Sequence, residues 1–201
     1  MDTMTAIVSK EWKQRMLIIM AALAAMGAWF FFDGLIAYPN NNTRALAYAE
    51  LEDRFGEESP ELEAAWTDVT KERGWLDEKP KKIYTQGEIT TQIILALVSW
   101  GFAGAVLFHF FKSLPQTTRM EGETLFLPDG RKIPVDTIRG MSKRRWQSRS
   151  IADFVYEPEP GVAKRFLLDD YKFIGVAEIL QKVEAQLPDE IRPPDRQEEP
   201  T

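Results

Sequence analysis

Cysteine is absent from this chain of 201 residues, and histidine occurs once. No disulfide, thiolate nucleophile or iron–sulfur site can form, and a single imidazole, His109, makes no zinc site alone. The sequence also lacks a Gly-rich phosphate loop, an EF-hand spacing and a nucleophile set beside a base, so no cofactor, small-molecule substrate or catalysed reaction is expected. Charge is missing from two stretches. Residues 16–32 carry none, and in 89–111 the one titratable side chain is His109.

What fills those gaps is apolar. Residues 16–38 and 89–111 are each 23 long, and a bilayer core about 30 Å thick needs about 20 helical residues to cross it. Both read as transmembrane helices. A cleaved signal peptide fits the first stretch poorly. Its apolar run exceeds the roughly 7–15 residues of a signal core, and Trp29, Phe30, Phe31 and Phe32 stand where small residues should precede a cleavage site.

Sidedness follows from Lys and Arg, because loops rich in them stay cytoplasmic. Lys10, Lys13 and Arg15 precede the first span, Lys112 and Arg119 follow the second, and the loop 39–88 carries seven basic against twelve acidic residues. Both termini are therefore expected inside and the loop outside. Trp12, Trp29, Tyr38 and Tyr84 suit an interfacial aromatic belt. Within the spans, small residues that allow close helix approach recur at Ala21 and Ala25, Ala24 and Ala28, and Gly101 and Ala105. They are candidate packing positions for a helical hairpin or for a partner helix.

The loop carries helix punctuation. Asn42 or Thr43 can cap a helix from Arg44 to Phe55 that stops at Gly56. Ser59-Pro60 opens another, with Leu62, Ala65, Trp66 and Val69 on one face and Gly74 closing it. Thr85-Gln86-Gly87-Glu88 matches a capping box at the entry to the second span. The acids between Glu50 and Glu63 lack calcium-loop spacing and read as a solvated face.

Beyond residue 111 the pattern turns to β. A hairpin is expected from 124–127 and 132–138 around Pro128-Asp129-Gly130, then strands at 140–147, 150–157 and 163–169, and an amphipathic helix over 173–187. The polar, Pro-rich end, 188–201, is expected to be disordered. The predicted organisation is an N-terminal cytoplasmic segment (1–15), a span (16–38), an external helical loop (39–88), a second span (89–111), a linker (112–118), a cytoplasmic α+β domain (119–187) and the tail. The fold class is thus an α+β membrane protein, two transmembrane helices joined to a small antiparallel-sheet domain closed by one helix.

Strands followed by one amphipathic helix, together with the wording IRGMSKRRWQSRSIADFVYE and FLLDDYKFIGVAEILQKVE, resemble bacterial two-span membrane proteins with a C-terminal pleckstrin-homology-like domain. The resemblance implies a shortened version, five strands being counted where the family has seven. It also implies a bacterial inner membrane, and it carries fold rather than activity.

One stretch invites a binding role. Arg139, Lys143, Arg144, Arg145 and Arg149 lie in a segment without acids, beside Trp146. The patch reads as a solvated basic face, as a surface for anionic lipid headgroups, or as a contact for an acidic protein partner. Nucleic acid is disfavoured, because the segment after residue 111 carries 15 basic against 16 acidic residues. The expected role is a non-enzymatic scaffold or accessory subunit of a larger membrane complex or homo-oligomer. The alternatives are a lipid-binding module and an oligomeric transporter or channel subunit.

Overall fold

The computed structural model describes residues 3–80 and 82–191. The chain divides into two compact units, one from Met1–Ile18 and Leu107–Thr201, the other from Ile19–Val106.

In the first unit β1 (Thr3–Val8) joins β2 (Thr117–Glu121), β3 (Thr124–Phe126), β4 (Lys132–Pro134) and β8 (Phe173–Ile174) in an antiparallel sheet of order β4-β3-β2-β1-β8. A second sheet, β5-β6-β7, is formed by Ile138–Arg145, Ile151–Glu159 and Val162–Asp169. Alternate side chains turn inward, as a period of two demands: Ala6 and Val8 from β1, Thr118 and Met120 from β2, and Ala152, Phe154 and Tyr156 from β6 are buried. Phe154 stacks on Phe166 with ring centroids 4.7 Å apart. Helix α6 (Val176–Gln186) closes this core through Val176, Ile179, Leu180 and Val183, one helical face.

Several expectations change here. The N-terminal segment is no mere leader, since β1 lies inside the sheet between β2 and β8. The expected strand over 132–138 ends at Pro134, where a 3-10 turn, Val135–Thr137, redirects the chain into β5. The strand expected over 140–147 stops at Arg145, and Trp146–Arg149 forms the single turn α5, which Ser150 terminates at φ 55°. The helix expected from Phe173 starts three residues later. Phe173 and Ile174 pair with Val8 and Ile7, and Gly175 at φ 97° then turns the chain into α6. Of the tail, Pro188 to Ile191 make a turn closed by Ile191 N–H donating to the Pro188 carbonyl (3.0 Å), with Ile191 against the core. The rest of the expected disordered tail lies outside the described residues.

In the second unit the first helix does not restart at Arg44. Helix α1 (Lys10–Phe32) passes through a π-helical turn, Asp33–Ala37, straight into α2 (Tyr38–Phe55). Pro39 explains the turn. Proline lacks the N–H for an i→i−4 bond and its ring crowds the carbonyl four residues back, while a π turn absorbs the misfit by adding a residue; the Tyr38 N–H donates to the Asp33 carbonyl instead. Asn42 and Thr43 are therefore mid-helix rather than caps. Asn42 exchanges two 2.7 Å hydrogen bonds with the backbone of Tyr84, and the Thr43 hydroxyl donates to the Pro39 carbonyl.

Helix α3 (Pro60–Arg73) is bounded as its sequence implies, with the Ser59 hydroxyl accepting from the Leu62 N–H at 3.1 Å and Gly74 left-handed. Leu62 and Trp66 are buried, and the Trp66 ring meets Tyr48 edge-on. Helix α4 (Gln86–Ser113) opens on the capping box: Thr85 N–H donates to Glu88 at 2.8 Å, and Glu88 N–H donates to the Thr85 hydroxyl at 3.2 Å. The continuous helix Lys10–Phe55 and helix α4 are each long and apolar enough to cross a membrane.

The seam between these helices uses other small residues than the repeats suggest. Gly27 and Gly34 are buried on one helix, and Ala96, Ser99 and Ala103 on the other. Ala21, Ala25, Ala28, Gly101 and Ala105 are exposed. Ala24 alone of the expected set takes part, its carbonyl accepting from Trp100 Nε1 at 3.2 Å. Indole bulk, rather than a second small residue, fills the space beside glycine.

Candidate functional site

The basic stretch is largely neutralised by its own fold. Arg139, at the start of β5, donates from Nε to Glu157 at 3.2 Å. Lys143 meets Glu184 of α6 at 2.6 Å, and Arg145 grips both carboxylate oxygens of Asp153 on β6. Arg144 and Arg149 are exposed, and no side-chain ion pair holds them among the described residues. Sequence spacing puts five cations together; pairing with β6 and α6 leaves two of them free. Trp146 packs against the core.

A second group of side chains is brought together only by the fold. The turn Asp169-Asp170-Tyr171-Lys172 between β7 and β8 holds three helix ends of the first unit. At the start of α1, the Ser9 hydroxyl accepts from the Trp12 N–H (3.1 Å) and donates to the Tyr171 carbonyl (2.9 Å). At the start of α6, Asp170 accepts from the Ala177 N–H at 2.9 Å, a carboxylate at the positive end of a helix. At the end of α4, Lys172 Nζ donates to Gln116 Oε1 (2.8 Å) and to the buried Ser113 hydroxyl (3.2 Å). The ammonium lies there against the negative end of the helix.

The setting of Lys172 is aromatic. Its Nζ stands 5.1 Å from the centre of the Trp12 ring and 5.2 Å from that of Phe173. Trp12 in turn stacks on Phe110 and receives the edge of His109. Burial pushes the Lys172 amine below its ordinary range, against a smaller opposing effect of Asp169. Arg15 lies over the Tyr171 ring at 4.8 Å. Trp12 is only 6% exposed, so it is a core residue of this unit rather than a member of an interfacial belt.

This cluster was missed at the level of sequence because its members lie up to 162 positions apart. The one local signal is Ser9 three residues before Trp12, an N-cap spacing.

In the second unit Tyr38 and Tyr84 stack at 3.7 Å and border an open pocket of about 440 Å³ with Lys82, Glu88 and Gln92. The Lys82–Glu88 ion pair (2.6 Å) sits at its rim, and Gln92 Nε2 donates to the Tyr38 hydroxyl at 3.3 Å. No group of three or more His, Cys, Asp or Glu side chains is placed to hold a metal among the described residues. Comparison with protein-family models, with curated proteins and with solved structures returns no match.

Proposed function

We propose that the protein is a non-catalytic, two-span integral membrane protein whose cytoplasmic β domain serves as a scaffold, working as an accessory subunit of a larger membrane complex or homo-oligomer. The pairing of β1 with β2 supports the two-span part of this reading. β1 precedes the first apolar helix and β2 follows the second, yet they run antiparallel from Thr3↔Glu121 to Ile7↔Thr117. Helices that leave and re-enter one sheet would make an even number of crossings, which supports an arrangement with β1 and β2 on one face of the bilayer. The distribution of Lys and Arg favours the same arrangement on independent grounds.

Exposure supports a bilayer around the helices. In their most apolar windows only 6% and 17% of residues are buried, whereas the core helix of a soluble protein would be mostly covered. Ile18, Leu97, Phe102 and Phe108 point outward, which lipid tails accommodate and water does not. A pleckstrin-homology-like domain is part of this proposal, though with eight strands in two sheets among the described residues it is not the shortened, five-strand version expected. A bacterial inner membrane is the proposed location.

Because the chain has no cysteine, single introduced thiols test the topology directly. With a membrane-impermeant maleimide on intact cells, Glu57→Cys should label, and Ser148→Cys only after lysis. The reverse pattern sinks the orientation. Extraction in mild detergent tests the scaffold role, since a protein that runs alone as a monomer has no assembly to serve.

A further inference from the structure

We propose that Arg15 and Lys172, set on the aromatic shelf of Trp12, Tyr171 and Phe173, form a seat for the phosphate of an anionic phospholipid headgroup. Like Arg144 and Arg149, these two cations have no carboxylate partner among the described residues, and unlike those two each lies over an aromatic ring. Arg139, Lys143, Arg145, Arg131 and Arg119 each meet a carboxylate, whereas Arg15 and Lys172 form no ion pair among the described residues. The acceptors that Lys172 does have, Ser113 and Gln116, are neutral. Asp169 of the same turn acts on it without an ion pair, so the charge is held in place and only partly offset.

Geometry suits a phosphate. The Arg15 guanidinium rests on the Tyr171 face, 4.8 Å from its centre, which orients the planar fork while leaving N–H donors for a bidentate oxyanion. Tyr171 and Lys172 are consecutive in one turn, so the two cations flank the same short segment. Position then selects the source. Arg15 is the last residue before the apolar run that begins at Met16, and Ser113 stands two residues after the second run ends. Leu17, Ile18, Phe108 and Phe111 are exposed beside them, apolar surface that suits acyl chains and not free phosphate in water. The exposed ring of Tyr171 matches the preference of tyrosine for the headgroup region.

The proposal rests on the membrane reading, and the test separates the two. Full-length protein is extracted from vesicles of equal phosphatidylglycerol and phosphatidylcholine, and the lipid it retains is measured by native mass spectrometry. Phosphatidylglycerol should be retained preferentially, and R15Q should reduce that retention about fivefold, the equivalent of ~1 kcal/mol for one basic residue at an anionic surface. Y171L, which removes the ring beneath Arg15 and keeps both charges, should reduce it in the same direction. Near-ultraviolet circular dichroism checks that the exposed substitutions leave the fold intact. Equal retention of the two lipids, retention unchanged by R15Q, or displacement of the lipid by excess inorganic phosphate overturns the proposal. Flotation with purely neutral vesicles is run alongside. A chain that floats but shows no lipid preference refutes the seat alone; one that does not float refutes the membrane reading as well.

Discussion

The indole of Trp100 lies against Gly27 so closely that a Cβ on the glycine would fall 2.5 Å from both Cδ1 and Nε1 of the ring. Any side chain there must push the indole outward and break its hydrogen bond to the Ala24 carbonyl. Gly27→Val should therefore cost about 1–3 kcal/mol, the usual range for overpacking. Gly101, with nothing within 4 Å of its would-be Cβ, should tolerate Ala and gain roughly 0.5–1 kcal/mol from helix propensity. Thermal unfolding in detergent, followed by tryptophan fluorescence, ranks the two; equal effects would refute this packing.

Removal of β1 should unfold the β domain. Ala6 and Val8 are buried in its core, and β1 separates β2 from β8. A fragment spanning 112–191 should lack near-ultraviolet circular dichroism and be cut rapidly by trypsin. Restoring residues 3–9 should recover both. A native-like, protease-resistant fragment without β1 would contradict the assigned sheet order.

Lys172 predicts a pH effect of definite sign. Burial lowers the pKa of its amine from an ordinary 10.5, so over the interval between the depressed value and 10.5 the unfolded chain binds more protons than the folded one. Stability then rises with pH across that interval, and the burial penalty is fully present below it. Denaturation from neutral pH to about 10.5 should show this gain in the wild type relative to Lys172→Met. Parallel curves for the two proteins would dismiss it.

The pairing pattern of the basic stretch also makes a prediction. Lys143→Ala breaks the contact with Glu184, whose side chain is 21% exposed, and should lose up to about 1 kcal/mol. Arg144→Ala removes no ion pair and should stay within about 0.5 kcal/mol of the wild type. Chemical denaturation distinguishes them. Identical losses would mean that the stretch acts as one charged field rather than as separate pairs.

Legibility followed the range of the interaction. The Ser59 cap, the Gly74 stop and the Thr85–Glu88 capping box were all readable, because each partner lies within a few residues of the other. So was the inward face of α6, which a 3.6-residue period fixes locally. The role of β1 was not. Six residues ahead of an apolar helix carry no mark of the partner strand that lies more than a hundred positions away. Likewise, nothing local to Asn42 marks Tyr84, 42 positions on, as the partner its side chain bonds instead of capping a helix.

Taken alone, the sequence determined where the two apolar stretches lie and which residues punctuate the short helices. These depend on composition and on contacts within one or two turns. Tertiary structure decided that β1 completes the sheet, that Gly27 and Gly34 rather than the alanine repeats form the helix seam, and that three of five cations in the basic stretch are paired. It also gathered Ser9, Trp12, Ser113 and Lys172 around one turn. The physical reason is that sequence records which groups need partners, while the partner is chosen by whichever distant group the folded backbone brings within hydrogen-bonding or van der Waals reach.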